Sequence, residues 1–175
     1  SLFSSFAKNN ENVKIALKET MSDGVVHDVS DGIADLGVFS EIVDHTGIET
    51  FPFLEDRLCV IAPLDHPMAK QTKVAFTDIL DFPHVAIEDG SSLFAQFSIR
   101  MAEAGRALDI AVRLRSFDGV RRMVGSGLGL GVLPYGVAAP YAKSDGLQVI
   151  SLDEEWATRR FLLGVREQKA LSRAA

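Results

Sequence analysis

The chain has 175 residues, 47% of them hydrophobic and 24% charged, with a formal charge of −6. This length accommodates one sizeable core or two small ones, and the composition excludes a disordered tract. The acidic balance argues against this chain gripping nucleic acid by itself, and no apolar run approaches the roughly 20 residues that span a bilayer.

The first ten residues, SLFSSFAKNN, carry neither a basic head nor a long apolar run, so no signal peptide is expected there. Leu2, Phe3 and Phe6 read as the tail of a helix; with no initial Met and an opening inside an apparent helix, the chain reads as a fragment. Val13, Ile15 and Leu17 alternate like a strand. Ser22 is placed to cap a helix through Val25, Val26 and Val29 that stops at Gly32. Leu36 to Phe39 reads as a short strand, Ile48 to Phe53 as an extended stretch broken by Pro52, and Leu58 to Ala62 as a further strand ended by Pro63.

Val85 to Ile87 forms the next strand. Ser91 or Ser92 can cap a helix in which Leu93, Phe97 and Met101 share one face, and Gly105 ends it. Ile110, Val112 and Leu114 alternate as a strand leading into Ser116. A helix near Tyr135 to Tyr141 and strands at Leu147 to Ile150 and Phe161 to Val165 complete the chain. Alternation of strand and helix predicts an α/β fold with parallel strands and right-handed helical crossovers.

The segment Ser116 to Tyr135, SFDGVRRMVGSGLGLGVLPY, is the most informative. Ser116 caps a helix whose apolar face is Phe117, Val120 and Val124. Gly125 and Gly127 supply the left-handed turn that ends it. Leu130, Val132 and Leu133 form a buried strand, and Pro134 stops it. The alternating glycines are not a dinucleotide loop. Their spacing is two throughout, and they follow a helix rather than open one.

Cys59, the sole cysteine, reads as a small buried hydrophobe, and a reducing, cytoplasmic compartment fits. His27, His45, His66 and His84 show no metal spacing, and Asp65-His66-Pro67 reads as a turn. Gly125-Ser126-Gly127 lacks the spacing of a nucleophile elbow, so no catalytic residue, metal or cofactor is expected. Arg113, Arg115, Arg121 and Arg122 read as a solvated basic face with surface ion pairs, although such a cluster can steer an anionic ligand.

Several segments together resemble the effector-binding domain of LysR-type transcriptional regulators. Val29 to Ser40, VSDGIADLGVFS, is similar to the family's L-x-x-G-x-x-D-hydrophobic segment, with Val29 in place of the leucine. Phe51 to Ala69 carries a crossover strand and the His66-Pro67 pair. Ser116 to Tyr135 is similar to the V-x-x-G-x-G-hydrophobic-x-hydrophobic-L-P block, and Arg159 to Ala175 to the return strand and the start of the last helix.

The resemblance implies two Rossmann-like lobes joined by two crossovers, like type 2 periplasmic binding proteins. One lobe would comprise residues 1–54 with 157–175, the other 55–156. The family's winged helix-turn-helix and linker helix are not in this sequence, and the first strand of the effector domain reads as missing before Ser1. The resemblance further implies a small-molecule effector in the interlobe cleft, a homodimer or higher homo-oligomer, no membrane partner, and DNA contact only through a separate N-terminal domain.

Helix N-termini carry unpaired N–H groups and partial positive charge, so Ser22, Ser91, Ser92 and Ser116 can collect around a carboxylate without a metal. The resemblance places the same helix starts at the cleft, together with Phe39 and Ser40. Phe117 either lines the cleft or packs in the core. A periplasmic-type solute-binding protein for a small anionic ligand is the rival reading. An enzyme on the same scaffold would need a catalytic pair, which the sequence does not offer.

Overall fold

The structure, a computed structural model, describes residues 10, 13–88 and 92–166. The chain divides into two compact units: Ser1–Phe53 with Phe161–Ala175, and Leu54–Arg160. Two strands, β2 (Glu49–Pro63) and β8 (Thr158–Val165), carry the chain from one unit to the other. Pro52 lies inside β2 and does not break it, contrary to the sequence reading. A proline removes one N–H but leaves an extended φ accessible.

In the first unit, helix α1 (Ser22–Ser30) leads to strand β1 (Gly37–Ser40). β1 runs antiparallel to β8, with Gly37 opposite Gly164 and Ser40 opposite Phe161. Met21, not Ser22, is the N-cap of α1, and no side chain caps the helix. Gly32, at φ +72°, turns the chain out of the helix as the sequence predicts. Val13, Ile15 and Leu17 do not form a strand. No described segment pairs with them, and Lys18 instead holds this stretch against α1 through an ion pair to Asp28 at 2.6 Å. Leu2, Phe3 and Phe6 lie outside the described residues.

In the second unit, β2 is central. It pairs antiparallel with β6 (Gly131–Pro134) and with β7 (Leu147–Leu152), and β3 (Lys73–Val74) joins β7 in parallel. The run Leu58 to Ala62 is apolar without alternation because both of its faces are covered. Leu58, Val60 and Ala62 enter one core with the short helix α2 (Phe76–Ile79) and helix α3 (Ser92–Ala104). Cys59 and Ile61 enter another, beneath helix α4 (Phe117–Gly125).

A two-stranded parallel sheet of β4 (Pro83–Ile87) and β5 (Asp109–Leu114) is connected through α3, the crossover expected of an α/β chain. Parallel pairing recurs between β3 and β7 but not around β2, whose partners β6 and β7 return against it from much later in the chain. Leu93 and Phe97 are buried on α3, with Met101 packed beside them. Tyr135–Ala138 forms a single helical turn, α5, followed by a 3₁₀ turn at Ala139–Tyr141, in place of one helix.

The glycine segment resolves differently from its first reading. Gly127 (φ +89°) and Gly129 (φ +138°) hold the left-handed backbone, whereas Gly125 is the last residue of α4 and has no positive φ. A Cβ at Gly125 would stand 2.5 Å from the Asp145 carbonyl oxygen, so close approach of backbone explains this glycine. At Gly129 a Cβ would stand 2.2 Å from the Pro83 carbonyl oxygen, where Leu130 N–H donates to that same oxygen.

Candidate functional site

In the first unit the structure brings Ser22 and Ser40 together. The Ser40 amide donates to Ser22 Oγ at 3.2 Å, tying the start of α1 to the end of β1. Ser40 is 3% exposed, and its hydroxyl has no partner among the described residues. With no side-chain cap on α1, the first-turn amides remain open to an acceptor, and the helix dipole favours an anion there. Asp23, exposed in the same turn, opposes that preference.

Phe39 is buried, and its ring lies 5.7 Å from that of His45. His45 Nδ1 is 2.8 Å from the Val43 carbonyl oxygen, so Nδ1 carries the proton and Nε2 is the acceptor in the neutral ring. Beside it, the Thr46 hydroxyl and then the Thr46 amide donate to Asp44 and hold its carboxyl below the usual range.

In the second unit Ser116 is a true N-cap: its Oγ accepts from Gly119 N–H at 3.1 Å. Phe117, half-buried, packs against both cores. Ser91 lies outside the described residues, and Ser92 is the first residue of α3, with its side chain outside them. Arg115 Nε pairs with Glu88 at 2.8 Å, and the Arg113 guanidinium lies 5.0 Å from the Phe94 ring centroid.

Arg121 corrects the reading of a solvated basic face. It is buried, pairs with Asp145 at 2.8 Å and Asp118 at 2.5 Å, and lies 3.9 Å over the Tyr141 ring. Its backbone position, beside the buried Val120 and one turn after Asp118, turns it inward.

Two further buried groups escaped the sequence reading. His84 is buried on β4; Nδ1 donates to the Phe82 carbonyl oxygen at 2.8 Å and Nε2 has no partner. Burial pushes its pKa down to about 4. Arg159 and Asp56 form an enclosed ion pair where β8 and β2 meet the edge of the second unit. The i,i+3 spacing of Asp118 and Arg121 was a readable signal. Nothing local marks the other two.

Cys59 donates weakly to the Leu133 carbonyl oxygen, and burial pushes its thiol up to about 12, so it is an inert core residue. His66 caps the 3₁₀ turn Pro67–Lys70 by accepting from Met68 N–H at 3.2 Å, which makes it a turn residue. No His, Cys, Asp or Glu cluster that could hold a metal occurs among the described residues. No helix among them is long and apolar enough to cross a membrane.

The probable nitrogen assimilation transcriptional activator of Synechococcus elongatus is 26% identical over 151 residues, covering 85% of this chain and 49% of that protein. The chain thus spans about half the length of this curated relative. The regulatory domain of Synechocystis PCC6803 CcmR in complex with 2-PG superposes with a TM-score of 0.85 at 23% identity, over 98% of this chain and 83% of that one. The effector binding domain of QuiR in complex with shikimate gives a TM-score of 0.78 at 20% identity, over 99% and 82%. The fold is therefore the α/β, type 2 periplasmic binding protein-like fold of such effector domains. The family model for the LysR substrate binding domain matches residues 1–175, and the chain belongs to that family.

Proposed function

We propose that this chain is the effector-sensing and dimerising part of a LysR-type transcriptional regulator, active in the cytoplasm and without enzymatic turnover. A separate domain of the whole protein makes the DNA contact. The effector is a small carboxylate. Ser22 and Ser40 receive it in the first unit, with Phe39 packed beside them; Ser91, Ser92, Ser116 and Phe117 are the candidate ligand contacts of the second unit, taken by itself. Binding shifts the population between two arrangements of the regulator, by no more than the effector's difference in affinity for them.

The observation that supports an effector site over simple architecture is the uncapped start of α1 beside Ser40. Ser40 as a residue is buried and no side chain caps α1, whereas the start of α4 is already satisfied by Ser116. The carboxylic acid shikimate bound to the QuiR domain supports the same ligand class.

A thermal-shift screen of aromatic and aliphatic carboxylates tests the reading, because binding to the folded state raises its apparent stability. At least one acid raises the melting temperature in a concentration-dependent way. A flat response across the panel contradicts the carboxylate assignment, and sequence-specific DNA binding by this chain in a salt-controlled titration contradicts the division of labour.

A further inference from the structure

We propose that Asp31 and Gly32, at the end of α1, form a site of spontaneous backbone modification, where the aspartate closes to a succinimide and reopens as isoaspartate. An aspartate followed by glycine is the pair most open to this reaction, because no side chain shields the glycine nitrogen. Five such pairs occur in the chain: Asp23-Gly24, Asp31-Gly32, Asp89-Gly90, Asp118-Gly119 and Asp145-Gly146. Asp89-Gly90 lies outside the described residues.

Three of the other four are held. Ring closure needs rotation about the Cα–C bond of the aspartate, and Asp23 and Gly24 are fixed inside α1. Asp118 pairs with Arg121 at 2.5 Å, and the Gly119 amide donates to Ser116 Oγ at 3.1 Å. Asp145, 21% exposed, pairs with the buried Arg121 at 2.8 Å. Asp31 is placed differently. It follows the last residue of α1, its side chain is 52% exposed, and Gly32 has a φ of +72°. His27, one turn earlier, brings Nε2 to 3.3 Å from Asp31 Oδ2. The Arg166 guanidinium lies against Gly32, where a Cβ would stand 2.8 Å from Nη1.

Electrophile, proton donor and nucleophile thus meet in one turn. A protonated His27 supplies the proton that turns the Asp31 carboxylate into a carboxyl group with a leaving hydroxyl. The Arg166 charge favours the Gly32 nitrogen as it loses its proton. The bond from the Gly32 amide to the Val29 carbonyl, 3.1 Å, opens first. The nitrogen then bonds to Asp31 Cγ, and the amide hydrogen and the Cγ hydroxyl leave as one water. Water adding at the former main-chain carbonyl breaks its bond to nitrogen, and the chain then runs through the aspartate side chain, one carbon longer. That carbon falls just before Ile33 and Ala34, whose amides donate to the Asp28 carbonyl, so the end of α1 loosens.

The test is incubation of the chain at neutral pH for several weeks, then proteolysis and electron-transfer fragmentation, which distinguishes isoaspartate from aspartate at each position. Isoaspartate accumulates at Asp31 about tenfold faster than at Asp118 or Asp145, where a charge-assisted hydrogen bond must first break, and faster than at Asp23, where α1 must fray. A species short of one water precedes it. His27→Gln keeps a donor beside the carboxylate but delivers no proton, and it slows accumulation at Asp31 about threefold or more with the melting temperature unchanged. A rate at Asp31 no greater than at the other three overturns the inference, and so does a rate that His27→Gln leaves unchanged.

Discussion

Arg121 and Asp145 form an almost wholly enclosed ion pair: Nη1 meets Oδ2 at 2.8 Å, and the two side chains are 5% and 21% exposed. Asp118 and the Tyr141 ring complete the enclosure of the guanidinium, so one arginine ties α4 to the turn at Tyr141 and to the loop at Asp145.

Removing one partner of such a pair leaves an uncompensated buried charge, and the loss of the ring contact adds to it. Arg121→Ala is therefore expected to destabilise the second unit by about 3 kcal/mol in urea unfolding. Arg122, one residue on and exposed, serves as the control, and Arg122→Ala changes stability by under about 0.5 kcal/mol. Equal, small effects for both would contradict the inward role of Arg121.

His84 sets a pH dependence. Its folded-state pKa is depressed to about 4 by burial, against an ordinary value of 6.5. Between those values the unfolded chain binds the proton and the folded protein does not. The stability from keeping His84 neutral is fully present above about pH 6.5 and is lost as the pH falls through 4, by about 3 kcal/mol in all. Urea unfolding of the wild type and His84→Phe across this window measures the difference. The variant loses that much less stability on acidification, and parallel profiles would contradict the assignment.

Gly127 and Gly129 separate two reasons for a glycine. Gly127 has a positive φ but nothing within 4 Å of where a methyl would stand, so Gly127→Ala costs about 1–2 kcal/mol of backbone strain. Gly129→Ala drives a methyl into the Pro83 carbonyl, breaking the link between β4 and the strand at Leu130, and costs about 3 kcal/mol or more. Thermal unfolding of the two variants ranks them, and the opposite order would show that the loop relaxes around position 129.

Local patterns were legible where local physics decides. The Ser116 cap, the Leu93–Phe97–Met101 face and the alternation of Ile110, Val112 and Leu114 each depend on neighbours within a turn or a strand. Val13, Ile15 and Leu17 have the same alternation but no strand beside them among the described residues, and a pattern without a partner makes no sheet. Pro52 looked like a break because a proline costs a donor, yet its conformation suits the long β2.

The candidate site was less readable. Ser22 looked like a cap for its own helix, but its hydroxyl is taken by Ser40, eighteen residues away, a contact no periodicity encodes. Burial of Arg121 and His84 follows from which helix or strand covers them, and a list of residue types does not contain that.

The most direct test of the central claim is calorimetric titration of the best carboxylate from the thermal-shift screen into the wild type and the Ser22→Ala plus Ser40→Ala double variant. An effector held at the start of α1 binds the variant about tenfold or more weakly, while urea unfolding shows a loss of about 1 kcal/mol from the single missing Ser22–Ser40 bond. Unchanged affinity in a stable double variant would contradict the site.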